Sequence, residues 1–241
     1  MRRATLLKET LSEDLGALLV DTGWALGGRS DAYGKQSDYY LVEALTAMGY
    51  DALNVGVGER AAATPVLQRL TEIGGPTLIS SNARLSNSSD GLICDVGGVR
   101  IGLVGVTSPD TAGGSTEETH LTPAIEALRA ILPEVRRQAE VIVVLADLEP
   151  AEIRALAEAG LDVQVVLGGR YLQCQELTWV GQTAVVAVGG DGRYVGRLTL
   201  DIDPRGQVVG VENRIAVLGL SVPDDPDMVA LRDKHRAAQA M

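Results

Sequence analysis

Short apolar runs alternate with stretches of helical periodicity along most of the chain. The runs cover residues 17–21, 51–55, 76–80, 141–146 and 163–167. Each run is bounded by turn-forming residues, a pattern typical of strands that are buried on both faces. Apolar residues at helical spacing predict helices over residues 4–15, 38–48, 65–73, 123–138 and 150–159. This alternation predicts an α/β protein.

Two further stretches have the pattern of strands without intervening helices. Residues 92–96 and 99–106 flank Gly97 and Gly98, a strong two-residue hairpin signal. Residues 171–216 predict consecutive strands with turns at 180–181, 189–192 and 204–206. Residues 224–240 predict an exposed helix with Leu231 as its contact. Because no linker or repeat is visible, we predict a single domain over residues 1–241, with a core over about 1–216 and a helical tail over about 224–240.

The net negative charge of the chain limits the kinds of molecule that it is expected to bind. It has 21 Lys and Arg against 32 Asp and Glu, a net charge of -11, and 46% of its residues are hydrophobic. An acidic surface repels nucleic-acid phosphates and acidic lipids, so we expect no nucleic-acid binding. No apolar run approaches the ~20 residues of a spanning helix, so we expect no membrane insertion. The expected partner is a protein, whose identity the sequence does not give.

The cysteines and histidines do not indicate nucleophilic catalysis. Cys94 and Cys174 form neither a metal-binding knuckle nor a CxxC redox pair, so two separate thiols are favoured over a disulfide. His120 and His235 lie in a polar loop and in the tail, without an obvious catalytic partner. No Gly-x-Ser-x-Gly elbow is present, and we predict no catalytic triad.

The segment from Gly56 to Ala61 matches the pattern GxGxxA between a predicted strand and a predicted helix. That is the context of a dinucleotide-binding turn, in which glycines let a pyrophosphate approach a helix N-terminus. The charge of Glu59 inside the turn repels a pyrophosphate, however, and residues 80–82 are Ser-Ser-Asn where an acid for the ribose is expected. A nucleotide-binding domain that uses the Gly56–Gly58 turn stays as an alternative.

Seven segments in order resemble motifs of the calcineurin-like metallophosphoesterases, in their 5'-nucleotidase branch. They are ALLVDTGWALGG (residues 17–28), MGYDALNVGVGE (48–59), LISSN (78–82), GVRIGLVGVT (98–107), VIVVLAD (141–147), LDVQVVLGGR (161–170) and TAVVAVGGDGRYVGRLTL (183–200). The resemblance implies a four-layer αββα fold in which two metal ions, held on loops after the strands, activate a water that attacks phosphorus.

The resemblance also identifies former metal-site positions, which are Trp24, Val57, Gly58, Asp147, Arg170 and Leu172. The family's first motif, Asp-x-His, would precede the helix that begins near Ala4, which implies a truncated N-terminus. Among the six positions only Asp147 could bind a hard cation, whereas a dinuclear site needs several converging carboxylates and imidazoles. We therefore predict no metal, no cofactor and no catalytic residue. The amide of Asn82 is expected to make local loop hydrogen bonds.

Three charged residues are expected on loops at the same end of the sheet: Glu59, Asp147 and Arg170. A guanidinium there can take the electrostatic role of a lost cation and form a paired network. Three separate solvated charges are the alternative. The indole of Trp24 is expected to fill the former metal cavity with apolar bulk.

These observations favour a degenerate 5'-nucleotidase-like domain that is non-catalytic and acts as a binding or assembly module. The alternatives are a residual metal-dependent hydrolase of phosphoesters such as nucleotides, and the nucleotide-binding domain.

The basic N-terminus is not followed by the apolar core of a signal peptide. The resemblance implies a periplasmic or extracellular location if a leader is missing, and a cytoplasmic one otherwise.

Overall fold

The computed structural model describes residues 1–13, 16–27, 32–62, 64–108, 121–169, 175–189 and 192–239. The helices are α1 (Arg2–Glu13), α2 (Ala32–Ala47), α3 (Val57–Ala61), α4 (Thr64–Glu72), α5 (Ala124–Arg136), α6 (Pro150–Glu158) and α7 (Pro226–Gln239). The strands are β1 (Val20–Asp21), β2 (Ala52–Asn54), β3 (Thr77–Ile79), β4 (Gly91–Val96), β5 (Val99–Thr107), β6 (Val141–Asp147), β7 (Val165–Gly168), β8 (Gln175–Val180), β9 (Thr183–Ala187), β10 (Tyr194–Ile202) and β11 (Val208–Val217).

The strands form three sheets. A six-stranded sheet has the order β4-β5-β6-β7-β9-β8, with β5, β6, β7 and β9 parallel and antiparallel partners at both edges. A three-stranded sheet has the order β1-β2-β3 and is parallel throughout. Strands β10 and β11 form a separate antiparallel pair. Crossover helices between parallel strands are the expected connections of such sheets.

Four layers result from the way in which these elements bury their apolar faces. Helices α5 and α6 cover the outer face of the six-stranded sheet, with Leu128 and Ile153 in the core that they share. Helices α1, α2 and α4 cover the outer face of the three-stranded sheet through residues such as Leu7 and Leu70. The inner core between the sheets contains Leu145 together with partly buried residues of β10 and β11. The αββα architecture that the resemblance implied is confirmed.

Some element boundaries differ from the sequence-based expectations. Helix α2 begins at Ala32, six residues before the predicted start, and the short helix α3 was not predicted. Strand β1 comprises only Val20 and Asp21. The predicted tail helix is present as α7; most of its residues are exposed or partly exposed, and Leu231 makes the contact that was predicted. Helix α7 also packs against α2 through Met228, which is buried beside Ala44 and was not predicted as a contact.

The sheet order brings several polar strand ends to one edge of the fold. In the parallel registers Thr107 lies opposite Asp147, and Asp21 lies opposite Leu53 in the other sheet. Because parallel strands end on the same edge, the loops that follow β1, β2, β5 and β6 converge there. No helix in the described part of the chain is long and apolar enough to cross a membrane.

Candidate functional site

The Glu59 carboxylate joins the loop after β1 to the beginning of α3. Its Oε1 accepts the backbone N–H groups of Ala25 at 2.8 Å and Leu26 at 3.0 Å. Its Oε2 accepts those of Trp24 at 2.8 Å and Gly56 at 3.0 Å. The side chain is completely buried. One acid thus accepts four main-chain donors, which fixes two loops that the chain sequence separates by about thirty residues.

The environment of Glu59 has two opposing effects on its ionisation. Burial disfavours the charged form and raises the pKa of Glu59 to about 7, while the hydrogen bonds from the N–H groups of Trp24 and Leu26 act in the opposite direction. A carboxyl group that titrates near neutrality is common at catalytic sites. Here, however, both oxygens face backbone donors, so the group has a structural role in the loop.

Asp147 ends β6 and is completely buried. Its Oδ2 accepts the N–H of Val57 at 3.1 Å, and the hydroxyl of Thr107 lies 3.5 Å from the same atom. A Cβ atom added to Gly56 would lie only 2.6 Å from this oxygen. The glycine therefore allows the backbone before α3 to contact the carboxylate closely.

Asp21, at the end of β1, is an acid that the sequence analysis did not single out. Burial raises its pKa, the charge of Asp147 adds to this effect, and Arg3 and the N–H of Gly23 oppose it. The Nη1 of Arg3 lies 4.0 Å from Oδ2 of Asp21 and donates to the hydroxyl of Tyr50 at 3.2 Å. The available signal was its position, since an acid that ends a predicted strand lies at the edge where the loops converge.

Two buried amides connect neighbouring loops. The Nδ2 of Asn82 donates to the carbonyl groups of Thr107 at 2.8 Å and Thr122 at 3.1 Å, and its Oδ1 accepts the N–H of Thr107 at 3.0 Å. The Nδ2 of Asn54 donates to the carbonyl groups of Thr22 at 2.9 Å and Val106 at 3.0 Å. Asn82 therefore makes the local loop hydrogen bonds that were expected of it.

The described residues do not fit a dinuclear metal centre. Val57 and Gly58 carry no side-chain donor, and the carboxylates of Glu59 and Asp147 accept backbone N–H groups. In the part of the chain that the structure describes, no group of three or more His, Cys, Asp and Glu side chains could hold a metal ion. A pair of divalent ions would need several converging anionic and imidazole ligands to offset its dehydration.

Trp24, whose indole is predicted to fill a former metal cavity, is 37% exposed. Its backbone lies in the left-handed region, with φ of 69°. That conformation is uncommon for a bulky residue. It directs the Trp24 N–H, together with the two that follow, to Glu59.

The remaining residues of the sequence analysis are Arg170, Leu172, the two cysteines and the two histidines. Arg170, Leu172, His120 and Cys174 lie outside the described residues, so the paired network between Arg170 and the two acids stays a prediction. Cys94 is a free cysteine on β4. His235 stacks on Tyr40, with ring centroids 5.3 Å apart, and so takes part in the contact between α7 and α2.

The glycine-rich turn does not offer its main chain to a pyrophosphate. Its leading N–H groups, from Gly56 and Val57, are bound by Glu59 and Asp147. Helix α3, which the turn opens, has only five residues. The structure thus argues against the dinucleotide-binding alternative, since a phosphate would have to displace two buried carboxylates from these donors.

Comparison with known proteins identifies the class to which this fold belongs. The chain superposes on a calcineurin-like phosphoesterase from Bacillus subtilis with a TM-score of 0.73 at 17% identity, over 98% of this chain and 88% of the other. It superposes on a 5'-nucleotidase precursor from Thermus thermophilus with a TM-score of 0.80 at 21% identity, over 98% of this chain and 53% of the other. The fold is therefore that of the calcineurin-like phosphoesterases.

Relatives found by sequence indicate which branch of the calcineurin-like phosphoesterases the chain resembles. The chain is 28% identical to a 5'-nucleotidase from Bos taurus over 80% of its own length and 39% of the relative's. It is also 28% identical to an apyrase from Aedes aegypti over 72% of its length and 37% of the relative's. No family model matches. The chain thus spans about two fifths of these relatives, and together they support the predicted assignment to the 5'-nucleotidase-like metallophosphoesterases.

Proposed function

We propose that this chain is a non-catalytic 5'-nucleotidase-like domain that acts as a binding or assembly module. The observation that carries the proposal is that the buried carboxylates of Glu59 and Asp147 accept hydrogen bonds from backbone N–H groups. Glu59 accepts four backbone N–H groups, and Asp147 accepts that of Val57 in a completely buried position. These carboxylates connect loops: backbone donors engage both oxygens of Glu59 and the Oδ2 atom of Asp147, and a metal ion would have to compete with them for these atoms.

The scaffold around the site supports the same conclusion. The amides of Asn54 and Asn82 join the strand ends of both sheets, and the loops after β1, β2 and β5 are tied to one another through them. Such a network supports a rigid edge without any metal ion. A rigid α/β scaffold of this kind suits the presentation of a binding surface to a protein partner.

Hydrolysis assays test the proposal directly. The purified protein would be incubated with nucleoside 5'-monophosphates, ATP and an aryl phosphate ester, with Mn²⁺, Zn²⁺, Mg²⁺ or Ca²⁺ each in excess. We expect no turnover with any substrate, and a metal content far below one ion per chain. A turnover of ~1 per second or more with any of these ions would instead establish the residual hydrolase.

A further inference from the structure

Five consecutive backbone N–H groups, those of residues 23–27, all donate to carboxylates. Asp21 accepts the first at 3.0 Å, and Glu59 accepts the next three. Asp38 accepts the last, at 3.1 Å and 3.2 Å from its two oxygens. The three acids belong to β1, α3 and α2. Successive N–H groups that face an anion form a concave site called a nest, so we call residues 23–27 the nest loop.

The donors around Glu59 match the shape of a carboxylate. Each of its two oxygens accepts two N–H groups, at 2.8 Å or 3.0 Å. Three of these donors belong to the nest loop and the fourth to Gly56, so the site is not simply the N-terminus of the short helix α3. A phosphate would bring two further oxygens into this buried position, beyond the donors that face the carboxylate.

Direct backbone packing holds the nest loop against residues 56–58. A Cβ atom on Gly27 would overlap the carbonyl of Gly58, and one on Gly58 would overlap the carbonyl of Leu26. The side chain of Leu26 is itself completely buried in the core under α2 and α4. These contacts do not involve the side chain of Glu59, so they keep the donors in position when that side chain is shortened.

The two ends of the nest loop are fixed by acids other than Glu59. Asp21 holds the first N–H from the end of β1, and the buried Asp38 holds the last from α2. The backbone between them has φ of 108° at Gly23 and 69° at Trp24. Turns that contain left-handed residues direct successive N–H groups toward a common point. The donors therefore converge because of the surrounding fold as well as their attraction to Glu59.

We infer that the nest loop, together with the N–H of Gly56, is a preformed binding site for a carboxylate, and that Glu59 is its internal ligand. A free carboxylate ion of matching size therefore binds there when the side chain of Glu59 is shortened. The site is selective for carboxylate over phosphate, because its donors are arranged in two pairs around two oxygens. It is independent of the proposed function, since it requires no partner protein and no particular hydrolytic activity.

Chemical rescue of two Glu59 variants tests the site. Glu59→Ala removes the carboxyl group and one methylene, and Glu59→Gly removes the carboxyl group and both methylenes. A free ion cannot approach the remaining carbon as closely as a covalent bond allows, so it must be smaller than the group that was deleted. Formate should therefore fit the alanine variant, whereas acetate should fit the glycine variant.

Urea unfolding of the full chain measures the rescue. Sodium formate, acetate or phosphate replaces sodium chloride at constant ionic strength and at a pH of about 8. Relative to the parent protein in the same salts, about 0.5 M formate should raise the folding equilibrium constant of Glu59→Ala at least about fivefold, which corresponds to a Kd of about 0.1 M. Acetate should stabilise Glu59→Gly more than Glu59→Ala, and phosphate should stabilise neither variant.

Two further variants separate binding at the nest loop from a general effect of the salts. Leu70→Ala leaves a cavity among apolar side chains of the core, where an ion is not stabilised, so formate should not rescue it. Adding Asp38→Ala to Glu59→Ala releases the last N–H of the nest loop. We expect formate to bind this double variant at least about threefold more weakly, because the donors are less well preorganised.

An NMR measurement on the parent protein needs no variant to fold. Scalar couplings across the hydrogen bonds should connect the amides of Trp24, Ala25 and Leu26 to the carboxyl carbon of Glu59, and formate should shift the same amides in Glu59→Ala. Missing couplings in the parent, equal effects of formate, chloride and phosphate on Glu59→Ala, or equal rescue of Leu70→Ala would overturn the inference. Hydrolysis by the same preparations would count only against the proposed function.

Discussion

The carboxylate of Asp147 accepts the backbone N–H of Val57 at 3.1 Å, which joins residues 90 positions apart in the chain. Asp147 ends a strand of the six-stranded sheet, and Val57 begins the short helix after β2 of the three-stranded sheet. The contact therefore connects the two sheets at the edge where their loops converge. It depends on the lack of a side chain at Gly56, whose Cβ would lie 2.6 Å from the same oxygen.

We expect Gly56→Ala to destabilise the protein through this contact. An added Cβ must displace the Asp147 carboxylate or the backbone, at a cost of about 1–3 kcal/mol. In the Asp147→Ala background the same substitution is expected to cost less, with a coupling of at least about 0.5 kcal/mol. Urea unfolding of the four proteins measures the free energies.

Gly219→Ala is the matched control, because a Cβ there meets nothing within 4 Å. It should change the free energy of unfolding by less than about 0.5 kcal/mol. Equal costs of Gly56→Ala in the two backgrounds would show that the clash does not involve Asp147.

Glu59 should make stability depend on pH. Its pKa rises from 4.5 in the unfolded chain to about 7 in the folded protein, so between these values the folded state holds a proton that the unfolded state has released. The free energy of unfolding therefore falls as the pH rises through this window, by about 3 kcal/mol from this group. This loss of stability is absent below about pH 4.5 and reaches its full size above about pH 7.

Glu59→Gln isolates that contribution, because glutamine does not titrate. The stability advantage of the parent protein over the variant should shrink as the pH rises from about 4.5 to 7.5. Chemical denaturation at several pH values measures it, and the NMR titration of the labelled Glu59 carboxyl gives the pKa even if the variant folds poorly. An advantage that stays constant or grows with pH contradicts this assignment.

Trp24→Asp should not create a hydrolase. The substitution places a carboxylate at one of the predicted former ligand positions, while Val57 and Gly58 still offer no side-chain ligand and Glu59 and Asp147 still accept backbone N–H groups. We expect no phosphatase activity above that of the parent with Mn²⁺, Zn²⁺, Mg²⁺ or Ca²⁺. Activity that appears with this single change, dependent on one of these ions, would show that the other ligands are present.

Arg170→Ala tests the predicted charge network. Since Glu59 already accepts four backbone donors, Asp147 is the acid that we expect the guanidinium to pair with. Removing the partner of a buried charge costs more than the attraction itself, so the melting temperature should drop clearly. Adding Asp147→Asn should restore part of the loss, whereas a double variant no more stable than Arg170→Ala would refute the pairing.

Much of the fold was predictable from the sequence because local patterns encode it. Continuous apolar runs such as residues 141–146 identified the buried strands, and Gly97 with Gly98 identified the hairpin that joins β4 to β5. The order of seven motif-like segments indicated the αββα family, which structural neighbours and curated relatives support. These signals are local because burial on both faces and tight turns restrict residue type position by position.

The roles of individual site residues were decided by the tertiary structure. The sequence alone showed an acid, Glu59, at the end of a glycine-rich turn, but not that Trp24 would adopt a positive φ and donate its N–H to it. Nor did it distinguish an enclosed indole at Trp24 from one that is 37% exposed. Such outcomes depend on the approach of loops from distant parts of the chain. By itself the sequence determined which segments form most of the strands and helices. Only the packing of the two sheets decided which backbone donors each buried acid meets, because that geometry is set by contacts across the whole fold.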